Sequence, residues 1–363
     1  MKKLLFIILL LPFISTAQFK RSITLDQPAS DLTDFPVLFS GTYTYLKTVA
    51  NGGKVVNANG YDIVFYSDAG LTTMLKFERV TWDASTGTCE FWIKIPTLTS
   101  ASATVIYLAY GNSAIVSDQQ DAVNVWTNSY QGVWHLPDGT TLTANDSKGV
   151  NNGTLVNTPT ATAGKIDGAA NIVRASNQYI DVGNDASLQI TGNLTIECWV
   201  NFTTNTLTHE LVAKDNNTGG RAYNLDHFAA AGNFNFRFYI NGGAGSNVIV
   251  STNTISTGAW YHIVGVYNTS GTLDIYFNGV SDATQVTGAA TSIPSATANV
   301  WIGRRQFAGS EDNFNGKMDE VRISNVSRSA VYIATSYSNQ NDPVNFYSIG
   351  AELNTSRRSA IIN

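Results

Sequence analysis

Charge is scarce in this chain, with Asp, Glu, Lys and Arg at 13%, and cysteine scarcer still, at two in 363 residues. Two cysteines build no disulfide framework. Cys89 in "GTCEFWIKI" and Cys198 in "LTIECWVNF" sit in apolar, strand-like runs, where a thiol behaves as a small apolar group without an activating neighbour. The four histidines, His135, His209, His227 and His262, are scattered without ligand spacing, which leaves no zinc signature and no nucleophile-base set. His135 and His262 stand beside Trp134 and Tyr261 inside strands and read as structural. Beyond the N-terminus no apolar run is long enough to cross a bilayer. Without Lys2 and Lys3, 20 Lys and Arg face 27 Asp and Glu, a formal charge of −7. That excludes nucleic acid, whose binding requires a basic surface to displace counterions.

What is present is a leader, then many short strands. "MKKLLFIILLLPFISTAQ" has two lysines, an apolar run from Leu4 to Ile14 and small residues before Gln18, the pattern of a secretory signal peptide cleaved after Ala17. The mature chain is expected outside the cytoplasm, secreted or at the cell surface. "YDIVFYS", "EFWIKI", "ATVIYLAYG", "NFRFYI", "YHIVGVYN" and "LDIYFNG" alternate apolar and polar residues or form short apolar runs between Gly, Asn, Asp and Ser. Such spacing predicts an all-β protein of antiparallel sandwiches. Helical period occurs once, in "SRSAVYIATSYSNQ", with Ser327 or Ser329 as N-cap, and predicts one short C-terminal helix on the outside of a sheet. The polar stretch Ser113 to Val123 separates two strand-rich halves. The expected division is a signal peptide at 1–17, a first β-sandwich at 18–126, a second at 127–353 and a tail without core pattern at 354–363.

The first half, through "FKRSITLDQPASDLTDFPVLF", "YDIVFYSDAG", "LKFERVTWDASTGTCEFWIKIP" and "TVIYLAYGN", resembles the bacterial domain of unknown function 2341. The second, through "GVWHL", "DSKGVNNGTLVN", "GKIDGAA", "QYIDVGNDASLQITGNLTIECWVNF", "GAWYHIVGVYNTSGTLDIYFNG", "VWIGRR" and "GKMDEVRISNVSRSA", resembles the laminin-G-like, concanavalin A-like jelly rolls. The resemblance implies a two-module extracellular protein, with a binding module in its second half and, in some members, a calcium ion.

The doublet Asp319-Glu320 lies at the start of a strand-like run. Strict alternation along Met318 to Ile323 predicts that Asp319 shares the apolar face of Val321 and Ile323, while Met318, Glu320 and Arg322 share the other. Carboxylates on opposite faces cannot act on one glycosidic bond, for which a retaining pair lies roughly 5–5.5 Å apart. No E-x-D-x-x-E strand occurs, so no catalytic residue is assigned and the chain is not expected to be an enzyme. "ANDSKGVNNGT" offers Asp146, Asn151 and carbonyl oxygens suited to calcium, with Asp319 as a shared ligand. Turn capping by Asp146 and backbone binding by Asp319 describe the same residues equally well. Candidate ligand-binding residues are Arg221, Tyr223 and His227 from one segment and Arg304, Arg305, Phe307 and Asp312 from "GRRQFAGSEDN", whereas Trp199, Trp260 and Trp301 alternate with apolar residues and are expected in the core. The expected function is a non-catalytic module recognising a polysaccharide or surface glycoprotein. The alternatives are an adhesive or structural spacer of a larger envelope assembly and, last, a glycan-cleaving enzyme with an acid pair drawn from distant strands.

Overall fold

The computed structural model describes residues 18–137, 141–216, 220–230, 233–241, 245–306 and 312–355; the expected leader, Phe307 and most of the expected tail lie outside them. The alternating segments become antiparallel strands in four sheets. Sheet I joins Phe19–Leu25, Thr104–Tyr110 and Val64–Tyr66, and sheet II joins Leu32–Thr42, Thr88–Leu98 and Phe77–Trp82. Period two along Thr88–Leu98 sends Cys89, Phe91, Ile93 and Ile95 into the core between sheets I and II, and Glu90 and Trp92 to the opposite face. Sheet III is built around Leu194–Phe202, Trp260–Asn268 and Gly316–Ser324, and sheet IV around His209–Lys214, Tyr223–Ala230, Asn233–Ile240, Trp301–Ile302 and Tyr179–Asp181. Ile196, Cys198 and Val200 of sheet III meet Leu225, Phe236 and Phe238 of sheet IV in the second core. The fold is therefore all-β, two antiparallel sandwiches, with the two cysteines free and buried in different cores.

The two sandwiches share a third apolar layer. Leu38 and Trp92 from the outer face of sheet II pack with Trp126, Tyr130, Val133 and Ile166, which stacks the sheets in the order I, II, III, IV. Trp126 lies edge-on to Tyr130 at 5.1 Å between centroids and 5.3 Å from Trp92, contacts worth about 0.5–1.5 kcal/mol each beyond burial. The expected helix forms over Ala330–Asn341, capped by Ser329 through a bond from Tyr332 N. Two further helices, Ala122–Val125 and Pro343–Phe346, are single turns. Ile333 of the long helix packs on Val264, Val266 and Tyr276 of sheet III. Asn339 accepts from Leu38 N at 2.7 Å and donates to Leu38 O at 3.1 Å, tying the helix to sheet II as well. The chain then returns to the first sandwich: Tyr347–Ile349 and Leu353–Asn354 pair with Phe19–Leu25 in sheet I. A single cut near residue 126 thus does not describe the path of the chain, because local patterning marks a strand without naming the sheet it joins.

The acidic doublet departs from the expected alternation. Opposite Leu194–Phe202 the register slips between Glu197 and Trp199, so that Asp319 faces Trp199 and Arg322 faces Glu197. Glu320 takes a φ of 50°, the left-handed conformation of a β-bulge, at a cost of roughly 1–2 kcal/mol for a residue with a Cβ. The extra residue reverses the parity. Met318, Val321 and Ile323 enter the sandwich core, whereas Asp319, Glu320 and Arg322 turn to the other face, beneath the helix and the first sandwich. Asp319 does not share a face with Val321, and Glu320 does not look to solvent; both are buried.

Around Arg322 these side chains form a closed network. Its guanidinium donates to Glu320 Oε2 at 2.6 Å and Glu197 Oε1 at 3.3 Å, and lies over the rings of Trp92 and Trp126 at 4.3 and 4.8 Å. His135 bridges the sandwiches, with Nδ1 at 2.6 Å from Glu320 Oε1 and Nε2 at 3.2 Å from Glu78 Oε2. Glu78 also accepts from Trp126 Nε1 and Ser147 Oγ, both at 2.6 Å. Burial, the largest single influence, pushes Glu78 and Glu320 upward, yet the charge and hydrogen bonds of His135, joined by Ser147 and Trp126 at Glu78 and by Arg322 at Glu320, together outweigh it and hold both below the ordinary carboxylate range. Burial likewise lowers His135, but Glu320 and Glu78 overcome it and hold the imidazole well above its usual value. Glu90 and Asp319 are pushed well up by burial, then by the charge of Glu320.

Groups raised on folding, here His135, Glu90 and Asp319, contribute stability that is full below their unfolded pKa values and lost as pH rises through the folded ones; Glu78 and Glu320, lowered on folding, contribute stability lost as pH falls through theirs. Removing one partner of such a buried pair costs about 3–5 kcal/mol, so His135→Ala should lower the unfolding free energy by that order in denaturant titration. Glu90→Gln should behave differently: its Tm relative to the unsubstituted protein should climb as pH rises from about 5 to about 8, and a difference that stays flat across this range would contradict the proposed charge balance.

Candidate functional site

The expected calcium ligands have backbone partners instead. Asp146 Oδ1 accepts from Val133 N and Lys148 N, each at 2.9 Å, and Oδ2 from Asn151 N at 2.9 Å and Val150 N at 3.3 Å. Four amides occupy the lone pairs that a cation would need. Asn151 Nδ2 donates to Gln131 O and Ser187 Oγ, and Asp319 Oδ2 accepts from Lys165 N and Ile166 N at 2.8 and 2.9 Å. These bonds match the turn reading of Asp146 and the backbone-binding reading of Asp319, whose second oxygen, Oδ1, is buried without a hydrogen-bond partner. Among the described residues, Glu90, His135 and Glu320 bring three ligand atoms within 4.8 Å of one another. Both His135 nitrogens already face carboxylates and Arg322 holds Glu320, which makes this set part of the ion-pair network.

The charged candidates converge elsewhere, on the outer face of sheet IV. A cleft of about 260 Å³ is lined by Thr208, Glu210, Arg221, Phe228, Arg237, Tyr239, Arg305 and Asp312. Strand parity builds it. In Tyr223–Ala230, Tyr223 and Leu225 belong to the core, so Asn224, Asp226 and Phe228 project outward. A register shift between Glu210 and Val212 lets Leu211 and Val212 both enter the core and leaves Glu210 outside, opposite Asp226. Asp226 and Arg237, also cross-strand partners, pair bidentately at 2.9 and 2.5 Å. Arg305 approaches Glu210 Oε1 at 3.3 Å and Asp312 Oδ2 at 2.7 Å, Arg221 approaches Asp215 Oδ1 at 3.3 Å, and Asn224 donates to Glu210 Oε2 at 2.6 Å. Burial, reinforced by the charge of Asp226, lifts Glu210 well above the ordinary carboxylate range.

Beside the cleft lies an aromatic pair. Trp301 pairs with Asp181 on one side and Ala213 on the other, and its ring lies 4.3 Å from that of Tyr179. Gly303, at φ 84°, ends this strand in a conformation that suits glycine. The turn brings Arg304 over both rings, at 5.3 Å from Tyr179 and 5.7 Å from Trp301. Trp301 is only partly buried, and its place on the outer face corrects the expectation of a core residue. Trp260 is also partly buried, and Trp199, although buried, lies under the helix against Tyr337.

Arg221, Arg305 and Asp312 thus share the cleft, and Arg304 sits beside it. Tyr223 and His227 do not. Tyr223 is in the core with its hydroxyl on Leu188 O at 3.1 Å, and His227 is enclosed by the rings of Phe202 and Phe236 at 5.1 and 5.5 Å. Both occupy the inward parity of their strand. Glu210, Asp226, Arg237, Tyr239 and the Tyr179–Trp301 pair were missed. The alternation in "YNLDHF" carried the signal for Asp226, since an acid between two core positions faces out, but nothing local announced its partners on other strands.

Because Asp146 organises four amides, Asp146→Ala should lower stability by about 2–4 kcal/mol, on the scale of unpaired buried amides. Millimolar calcium should leave the Tm of the unsubstituted protein unchanged against a chelator control, whereas a rise of several degrees would reinstate the ion.

Residues 174–334 match the Concanavalin A-like lectin/glucanases superfamily (Laminin_G_3), and residues 59–136 match the Domain of unknown function (DUF2341). No curated protein matches the chain. Among solved structures it is similar to domain 4 of AbnA, a GH43 extracellular arabinanase from Geobacillus stearothermophilus in complex with arabinotriose, at 20% identity and TM-score 0.45, covering 57% of this chain and 97% of that one. It is similar also to the binding domain of Paraclostridial Mosquitocidal Protein 1, at 13% identity and TM-score 0.46, covering 60% of this chain and 52%, about half, of that one. A third is the native heptameric SAP-like pentraxin from Limulus polyphemus, at 16% identity and TM-score 0.36, covering 46% and 81%. No helix among the described residues is long and apolar enough to cross a membrane. Two regions of the chain thus match known family models, in this order: DUF2341 over 59–136 and the Concanavalin A-like lectin/glucanases superfamily over 174–334.

Proposed function

We propose that the chain is an exported, non-catalytic binding module that holds a carbohydrate, free or on a surface glycoprotein, against the outer face of sheet IV. The observation that carries this reading is the division of the jelly roll's two outer faces. That of sheet III is covered by the helix and the first sandwich, while that of sheet IV presents the half-buried Tyr179–Trp301 pair next to the charged cleft. An aromatic face takes the apolar side of a sugar ring, and guanidinium and carboxylate groups bond its hydroxyls. At about 260 Å³ the cleft is smaller than the roughly 300–1,000 Å³ of sites that engulf a ligand, which suits a terminal unit or one residue of a longer chain. Of the carboxylates at the cleft among the described residues, Asp226 is fully buried and clamped by Arg237, Glu210 is bound by Asn224 beside Arg305, and Asp312 is paired with Arg305. None of the three stands unpaired as a nucleophile or as a base for water. The leader-like N-terminus supports export.

A glycan array probed with mature protein should give binding to a defined group of sugars. Trp301→Ala should weaken that binding by about tenfold, the loss of roughly 1.4 kcal/mol of stacking, and keep Tm within a few degrees. Silence across the array together with capture of a surface protein would favour the spacer alternative, and turnover of a bound polysaccharide would overturn the non-catalytic reading.

A further inference from the structure

We infer that the carbohydrate held on sheet IV is acidic, its carboxylate or sulfate groups received by the guanidinium forks of Arg221, Arg237 and Arg305; this rests on the binding reading above and narrows its ligand class. The chain as a whole is acidic, at a formal −5, yet the charged groups of the cleft that reach solvent are mostly cationic. Arg221, Arg237 and Arg305 expose 33, 21 and 19% of their side chains, against 29% for Asp312. Their other counter-charges among the described residues lie beneath them: Asp215 and Asp226 are 0% exposed and Glu210 1%. Among the described residues, a ligand arriving from solvent therefore meets three guanidinium groups and one carboxylate. Arg304 adds a fourth cation over the neighbouring aromatic pair.

The layering has two consequences. Guanidinium is planar, always charged and matched to the two oxygens of a carboxylate or sulfate edge, whereas a neutral hydroxyl engages one N–H at a time. The buried acids also hold the forks in place before the ligand arrives, so little side-chain freedom is lost on binding.

Mature protein should be titrated calorimetrically with polygalacturonate, alginate and hyaluronan fragments, each beside its carboxyl-reduced neutral form, and with neutral glycans positive on the array. At least one acidic fragment should bind at least tenfold more tightly than its reduced form, the scale of one charge-assisted bond, and its affinity should fall as salt rises from about 0.05 to 0.5 M because partly exposed charges are screened. Arg221→Gln should erase most of that preference while leaving the weaker binding of the reduced form in place. Reduced forms that bind as well as the acidic ones, or an acidic preference untouched by Arg221→Gln, would overturn the inference. Binding confined to neutral glycans would overturn it and leave the carbohydrate reading standing, whereas no binding to any glycan would remove both.

Discussion

Arg322 is a cation without access to water, and the relation between the two sandwiches depends on how its charge is balanced. Only carboxylates from several elements can do this: Glu320 from its own strand, Glu197 from the neighbouring strand and, through His135, Glu78 from the first sandwich. Two tryptophans cover the guanidinium, one on a sheet II strand and one on the connecting segment. In a low dielectric each of these groups would be costly alone. Their mutual pairing makes the interface specific, because any sliding of sheet II over sheet III would strand a charge. The left-handed backbone at Glu320 belongs to the same design: a local strain of about 1–2 kcal/mol is offset by delivering a carboxylate to both His135 and Arg322.

This interface also determines where a ligand can be met. A jelly roll has two outer faces, and here one of them is buried under the first sandwich and the helix Ala330–Asn341. The C-terminal strands, paired with Phe19–Leu25, close the chain back on its beginning, so the first domain works as a clamp on sheet III. Polar and aromatic side chains on sheet IV remain accessible, and they are arranged in ranks: carboxylates at the sheet surface, guanidinium groups above them, and the ring pair to one side.

Much of the architecture was legible because it follows from nearest-neighbour chemistry. The strands were visible in their period-two runs, the helix in its spacing and Ser cap, and the two cysteines in their apolar surroundings. Arg221, Arg305 and Asp312, which line one cleft, stood out because charged loop residues are conspicuous in a chain with so few charges. The side chains assigned to the wrong face share one cause, parity. A single inserted residue inverts every side chain beyond it, and neither the bulge at Glu320 nor that at Glu210 has a glycine or proline to mark it. Tyr223 and His227 were misjudged by the company they keep in sequence, when their strand turns them inward between neighbours chosen for charge.

Alone, the sequence determined the class of the fold, the order of its two regions and the placing of both cysteines in apolar strands, because periodicity and composition act through each residue's own preference for water or core. Tertiary structure decided which carboxylates meet which cations, which sheet face is sealed and which stays open. Those outcomes turn on cross-strand register and on contacts between residues as far apart as Glu78 and His135, or Leu38 and Asn339, and no local pattern encodes the distance between them.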